Sequence, residues 1–146
     1  MSKIVPMISS GVAGPLGVLH LPRLWLKVSL DVTDQLHDDY PAIGAGYDQM
    51  VLDGLGIDKG AFVAYMSANK PSYCQLESWI LERKGGSLDS NAVADLNSAI
   101  TGYIHDDDTR TTICGDAGRS DDGSVRDAVN LNNLDDWATF YRESIA

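Results

Sequence analysis

The sequence predicts an all-α fold, a single compact domain of about six or seven helices around a central apolar helix over residues 21–36. Three observations carry this expectation. Apolar residues recur at helical spacing in successive segments. Gly, Pro, Asp and Asn punctuate those segments where helices begin and end. No stretch sustains the period-two alternation of a half-buried strand. With 146 residues, 44% of them hydrophobic and 22% charged, the chain has the balance of a globular domain large enough to fold without metals or disulfides.

Residues 1–20 carry Pro6, Gly11, Gly14, Pro15 and Gly17 and are expected to form an ordered arm or loop preceding a helical domain over 21–146. The glycines at 11, 14 and 17 do not match a dinucleotide or phosphate-loop spacing, and turn geometry accounts for them. From Leu21 the pattern becomes helical. Pro22 suits a first turn, where a missing N–H costs nothing. At 100° per residue, Leu21, Leu24, Trp25, Val28, Val32 and Leu36 share one broad face. Leu26 and Leu30 widen it, leaving His20, Arg23, Lys27, Asp31 and Asp34 on one narrow polar stripe. A helix this apolar must be central or partly covered by a second subunit.

A short helix follows from Tyr47 to Leu55, stopped by Gly56. Asp58 is the expected N-cap of the next, which carries Phe62, Val63, Tyr65 and Met66. Pro71 opens another, with Tyr73, Leu76, Trp79 and Ile80 at helical spacing up to Gly85-Gly86. Ser87 or Asp89 caps a helix whose inner face is Val93, Leu96, Ile100, Tyr103 and Ile104. Asp108 caps a shorter one through Ile113, residues 115–133 read as a long loop, and Asn132 or Asn133 caps the last helix, where Leu134, Trp137, Tyr141 and Ile145 align.

Eleven basic residues against twenty-one acidic ones give a net charge of −10, and the longest basic cluster is Arg83-Lys84. Phosphate backbones need a basic patch, so no nucleic acid is expected as a partner. No apolar run is long enough to span a bilayer, and the broken apolar pattern near the start does not read as a signal peptide, so no membrane association and a cytoplasmic location are expected. Cys74 and Cys114 form no C-x-x-C, and both are expected to be buried, reduced thiols.

The ordered set Leu21-Pro22-Arg23-Leu24, Lys27, Leu36, Tyr40, Asp48, Leu55-Gly56-Ile57-Asp58, Phe62 and Trp79 resembles the bacterial domain-of-unknown-function family 5069. The similarity spans residues 14–84, and the C-terminal part is similar only loosely. After Lys27 this chain has Val28, Ser29 and Leu30 where the family is more polar. The resemblance implies a helical fold and no established activity.

The chemistry of the chain centres on Arg23 and Lys27, one helical turn apart on the polar stripe. Like charges at this spacing repel, so each needs neutralising. Lys27 can pair with Asp31 within the helix, or the stripe can meet Asp48 from the neighbouring helix. Alternatively the two cations grip a carboxylate or phosphate, for which a guanidinium fork and an ammonium are suited. The expected recognition surface is therefore Arg23 and Lys27, with Tyr40, Tyr47, Asp48 and Trp79 as neighbours. It would take a small anionic molecule or a protein partner. An enzyme acting on a small anionic substrate, with His20 or His37 moving protons, is the alternative. A self-associating domain forming a homodimer over Trp25 and Leu26 is the third.

His37-Asp38-Asp39 and His105-Asp106-Asp107-Asp108 contain metal-ligand residue types, yet neighbours in sequence rarely converge on one ion. Both runs read better as helix-end charges, the acids before an N-terminus and His37 at the C-terminus of the long helix. No metal and no cofactor are expected. Glu77 and Glu82 are acid–base candidates by type only, and Gly-x-Ser-x-Gly is absent.

Overall fold

The computed structural model describes residues 3–146, so Met1 and Ser2 of the expected arm lie outside the described residues. Among the described residues seven helices follow in order: α1 Leu21–Val32, α2 Tyr47–Leu55, α3 Lys59–Asn69, α4 Tyr73–Arg83, α5 Ser90–Thr101, α6 Asp107–Ala117 and α7 Ala128–Ser144. Among the described residues there is no sheet, only isolated bridges, and the compact fold is all-α. No helix there is long and apolar enough to cross a membrane.

Helix starts follow capping chemistry. Asp58, Ser72, Asp89, Asp106 and Asp127 each accept a backbone N–H of their first turn. At α4 the cap is a reciprocal Ser72/Gln75 box, one residue after Pro71. Asp106, and not Asp108, caps α6, which leaves Asp107 and Asp108 in the first turn where the helix dipole favours acids.

Other boundaries also differ from expectation: α5 ends at Thr101, short of Tyr103 and Ile104, and α6 runs past Ile113 to Ala117. α1 ends at Val32 and not at residue 36. The Asp34 N–H bonds to the Asp31 carbonyl and the Gln35 N–H to that of Leu30, a Schellman closure with Asp34 at φ 56° in the left-handed position. Asp tolerates that conformation better than most residues. The chain beyond turns extended, and Leu36 is buried by a parallel bridge to Ile4 and not as a helical residue. α7 begins at Ala128, capped by Asp127, and not after Asn132 or Asn133, so the expected loop shrinks to the segment 118–127. The asparagines that suggested a cap sit within the helix.

α1 is central, packed against α2, α3 and α4, with Leu21, Leu24 and Val28 fully enclosed. Phe62 and Met66 of α3, Leu76 and Ile80 of α4, and Ile100 of α5 complete the main core. The α6–α7 pair has a small core of its own around Ile113, Cys114 and Leu131. The arm lies against this body and inserts Val5 and Val18. Gly14 allows its close approach, because a Cβ there would stand 2.4 Å from the Tyr73 ring.

Several expected inner positions face outward. Trp137 and Tyr141 of α7 and Ile145 just after it are more than half exposed, as is Ile104, and Tyr103 is nearly so. Cys74 is exposed, whereas Cys114 is buried as expected. Its turn of α4 directs Leu76, Glu77 and Ile80 inward instead. Trp25 and Leu26 are half-buried, with the Trp25 indole donating to the Pro71 carbonyl at 2.9 Å.

Candidate functional site

His20, Arg23 and Lys27 succeed one another at spacings of three and four, so they project from one side of the start of α1. All three are buried, at 2%, 5% and 6% exposure. His20 occupies the cap position of α1 in the left-handed region, φ 70°, and makes no cap hydrogen bond. That sparsely populated backbone turns its imidazole into the interior, where it meets α2.

The acceptor there is Asp48, in the first turn of α2 and itself 3% exposed. One carboxylate oxygen accepts from His20 Nε2 at 2.6 Å; the other accepts from Lys27 Nζ at 2.5 Å and from the Gly44 amide at 2.8 Å. Burial acts to raise the Asp48 carboxyl. The His20 hydrogen bond and the Lys27 charge outweigh it, and the pKa falls to about 2. His20 moves the other way for a base: desolvation lowers it despite Asp48, so it stays neutral. With Nε2–H committed to Asp48, its Nδ1 is the acceptor for the Ser10 hydroxyl at 2.9 Å. Ser, His and Asp thus stand in a chain, but Ser10 is 1% exposed and does not line the adjoining cavity, so no substrate could reach its oxygen. The arrangement is a buried polar network, not a nucleophile.

Arg23 does not pair with Asp48. Its guanidinium grips Asp136 of α7 in a two-pronged contact, at 2.6 and 3.0 Å, and donates to the carbonyls of Pro6 and Ile8 at 2.8 and 2.9 Å. The Tyr40 hydroxyl also donates to Asp136, at 2.9 Å. Arg23 thus binds the arm, α1 and α7 together. Lys27 likewise ignores Asp31, which is exposed. Burial raises the Tyr40 hydroxyl pKa, assisted by the Asp136 charge; it pushes that of Tyr47, which donates to the Ile100 carbonyl, up to about 12.

These groups border a partly enclosed cavity of about 270 Å³. Arg23, Lys27, Tyr40, Tyr47 and Asp48 all line it, so five of the six residues expected to share a site do so. Trp79 does not. It projects from α4 toward α3, stacked on Tyr65 at 4.4 Å, with the Arg83 guanidinium 4.9 Å from its ring centroid. Its helical spacing signalled packing against Tyr65 and Phe62, not a ligand.

The wall also contains His20, Asp39, Tyr103, His105, Asn132 and Asp135. Of these, Tyr103, Asn132 and Asp135 carried no signal of a site in the sequence, and neither did Asp136 behind Arg23. Neutralising two buried cations calls for a second carboxylate besides Asp48, but with twenty-one acidic residues charge alone cannot select one. His37 does not line the cavity and does not sit on the end of α1; it pairs with Glu143 at 3.0 Å. His105 Nε2 contacts Asn132 Oδ1 at 3.0 Å. Among the described residues, no three His, Cys, Asp or Glu side chains come together as a metal site. No family model, curated protein or solved structure matches this chain.

Proposed function

We propose that the protein binds a small molecule in this cavity and that Lys27 holds an anionic group of the ligand. The observation that carries the reading is the state of the Lys27 ammonium. It is buried in the wall, donates one N–H to Asp48, and has two further donors with no protein acceptor in hydrogen-bond range among the described residues. A desolvated ammonium is costly unless its donors are met, and a ligand oxygen is the partner that would meet them. Asp48, held by three donors, fixes the ammonium in place.

The start of α2 adds to the attraction. Gly46 at its cap has no side chain to accept the first-turn amides, and it lines the same cavity. Free N–H groups at a helix start favour a negative group. The volume, about 270 Å³, lies just below the usual range for ligand pockets, about 300–1,000 Å³, which favours a small molecule over a protein segment. Membership of domain-of-unknown-function family 5069 is proposed on the ordered residues between Leu21 and Trp79 and adds no activity to this reading.

Calorimetric titration with inorganic phosphate and with short carboxylates tests it. At least one of these anions should bind saturably to the wild-type protein, and Lys27→Met should weaken that binding at least tenfold while its helical circular dichroism is retained. Absence of binding by every phosphate- or carboxylate-bearing ligand, amino acids included, or equal binding by Lys27→Met, would refute the proposal.

A further inference from the structure

The charges around the cavity do not add up to a simple anion site. Arg23 is spent on Asp136 and two backbone carbonyls, and Lys27 shares Asp48, so neither cation is free of a carboxylate. The wall then has two more acids, Asp39 and Asp135. Asp135 is half-buried and, among the described residues, its carboxylate accepts no hydrogen bond, while Asp39 reaches His37 and Arg142 there, at 3.9 and 3.8 Å. Beside Asp135 stands the Asp136 carboxylate, and burial together with that charge raises the Asp135 pKa. The wall therefore carries two cations, Arg23 and Lys27, and three carboxylates, Asp39, Asp48 and Asp135, with Asp136 behind Arg23. The aromatic rings of Tyr40 and Tyr103 lie in the same wall. A carboxylate without a hydrogen-bond donor, next to aromatic faces, suits a cationic nitrogen.

Resting on the Lys27 reading above, we infer that the ligand is zwitterionic: its anionic end meets Lys27 and the start of α2, and its protonated amine meets Asp135 in the same wall. A purely anionic ligand would satisfy Lys27 but enter a cavity whose remaining charges repel it. A ligand with both poles meets the remaining ammonium donors of Lys27 at one end and the Asp135 carboxylate at the other.

The test compares ω-amino acids of increasing chain length with carboxylates and amines of matched length, by calorimetry on the wild-type protein and on Asp135→Asn. At the best chain length, the amino acid should bind at least tenfold more tightly than the matched carboxylate and the matched amine. Asp135→Asn, an isosteric change, should reduce that advantage over the carboxylate to less than twofold. Carboxylates that bind the wild type as tightly as the amino acids would overturn the zwitterion while leaving the Lys27 site standing. An advantage that survives Asp135→Asn would also overturn it, by removing the assigned acid. If neither class binds at any length, the Lys27 reading fails and this inference fails with it.

Discussion

α1 and α7 treat their side chains in opposite ways. α1 encloses two cations, Arg23 and Lys27, among apolar neighbours, whereas α7 leaves Trp137 and Tyr141 more than half exposed and turns Ala128, Leu131, Asp136 and Thr139 inward. The two facts are one. Arg23 is buried by the arm and by α7, and an unpaired guanidinium there would be costly, so α7 is rotated to present Asp136 to it. The apolar line through Trp137 and Tyr141 is about one residue step around the helix from Asp136, and it consequently faces out. Hydrophobic periodicity assigns an inner face correctly when no buried charge competes for it. Here one does.

The largest expected effect comes from breaking the α1 network at its hub. Asp48→Asn leaves Lys27 buried without a counter-charge and should destabilise the fold by about 3–5 kcal/mol in chemical denaturation. Asp136→Asn should cost less, about 2 kcal/mol, because Arg23 keeps its two carbonyl acceptors. If the order is reversed, α7 and not α2 anchors the central helix.

Acid provides a second test of the same network. His20 is lowered from 6.5, so the unfolded chain takes up its proton first, and stability should fall as pH drops below about 6.5. Asp48 is lowered from 3.8 to about 2, so its contribution is complete above about pH 4 and is lost between there and pH 2. At about 1.4 kcal/mol per unit, that last step amounts to about 2 kcal/mol. Urea melts across this range should show both segments, and His20→Gln should flatten the upper one. A flat profile from pH 7 to 3 would mean that the network is hydrated.

The smallest effect should come from the exposed face of α7. Trp137→Ser should change stability by less than about 0.5 kcal/mol, against about 3 kcal/mol for Leu131→Ala in the small core beside it. A larger loss at Trp137 that grows with protein concentration would show that a second copy covers this face.

The sequence by itself determined the helices and most of their limits. Tyr47 to Leu55, Gly56 as its stop, and the Asp58 cap are all local matters, settled by bonds reaching three or four residues. It also placed Arg23 and Lys27 on one stripe of an apolar helix, and a carboxylate in the Tyr40–Asp48 segment near enough to matter. Tertiary structure alone decided which acid met which cation. Asp136 lies 113 residues from Arg23 and looks like an ordinary surface position, and Leu36, beyond the end of α1, pairs with Ile4 of the arm, 32 positions earlier in the chain. Capping and periodicity act within a turn or two of helix, whereas the partner of a buried charge is chosen by which surfaces pack together. That choice is also what made a cavity out of five residues that the sequence could only place side by side.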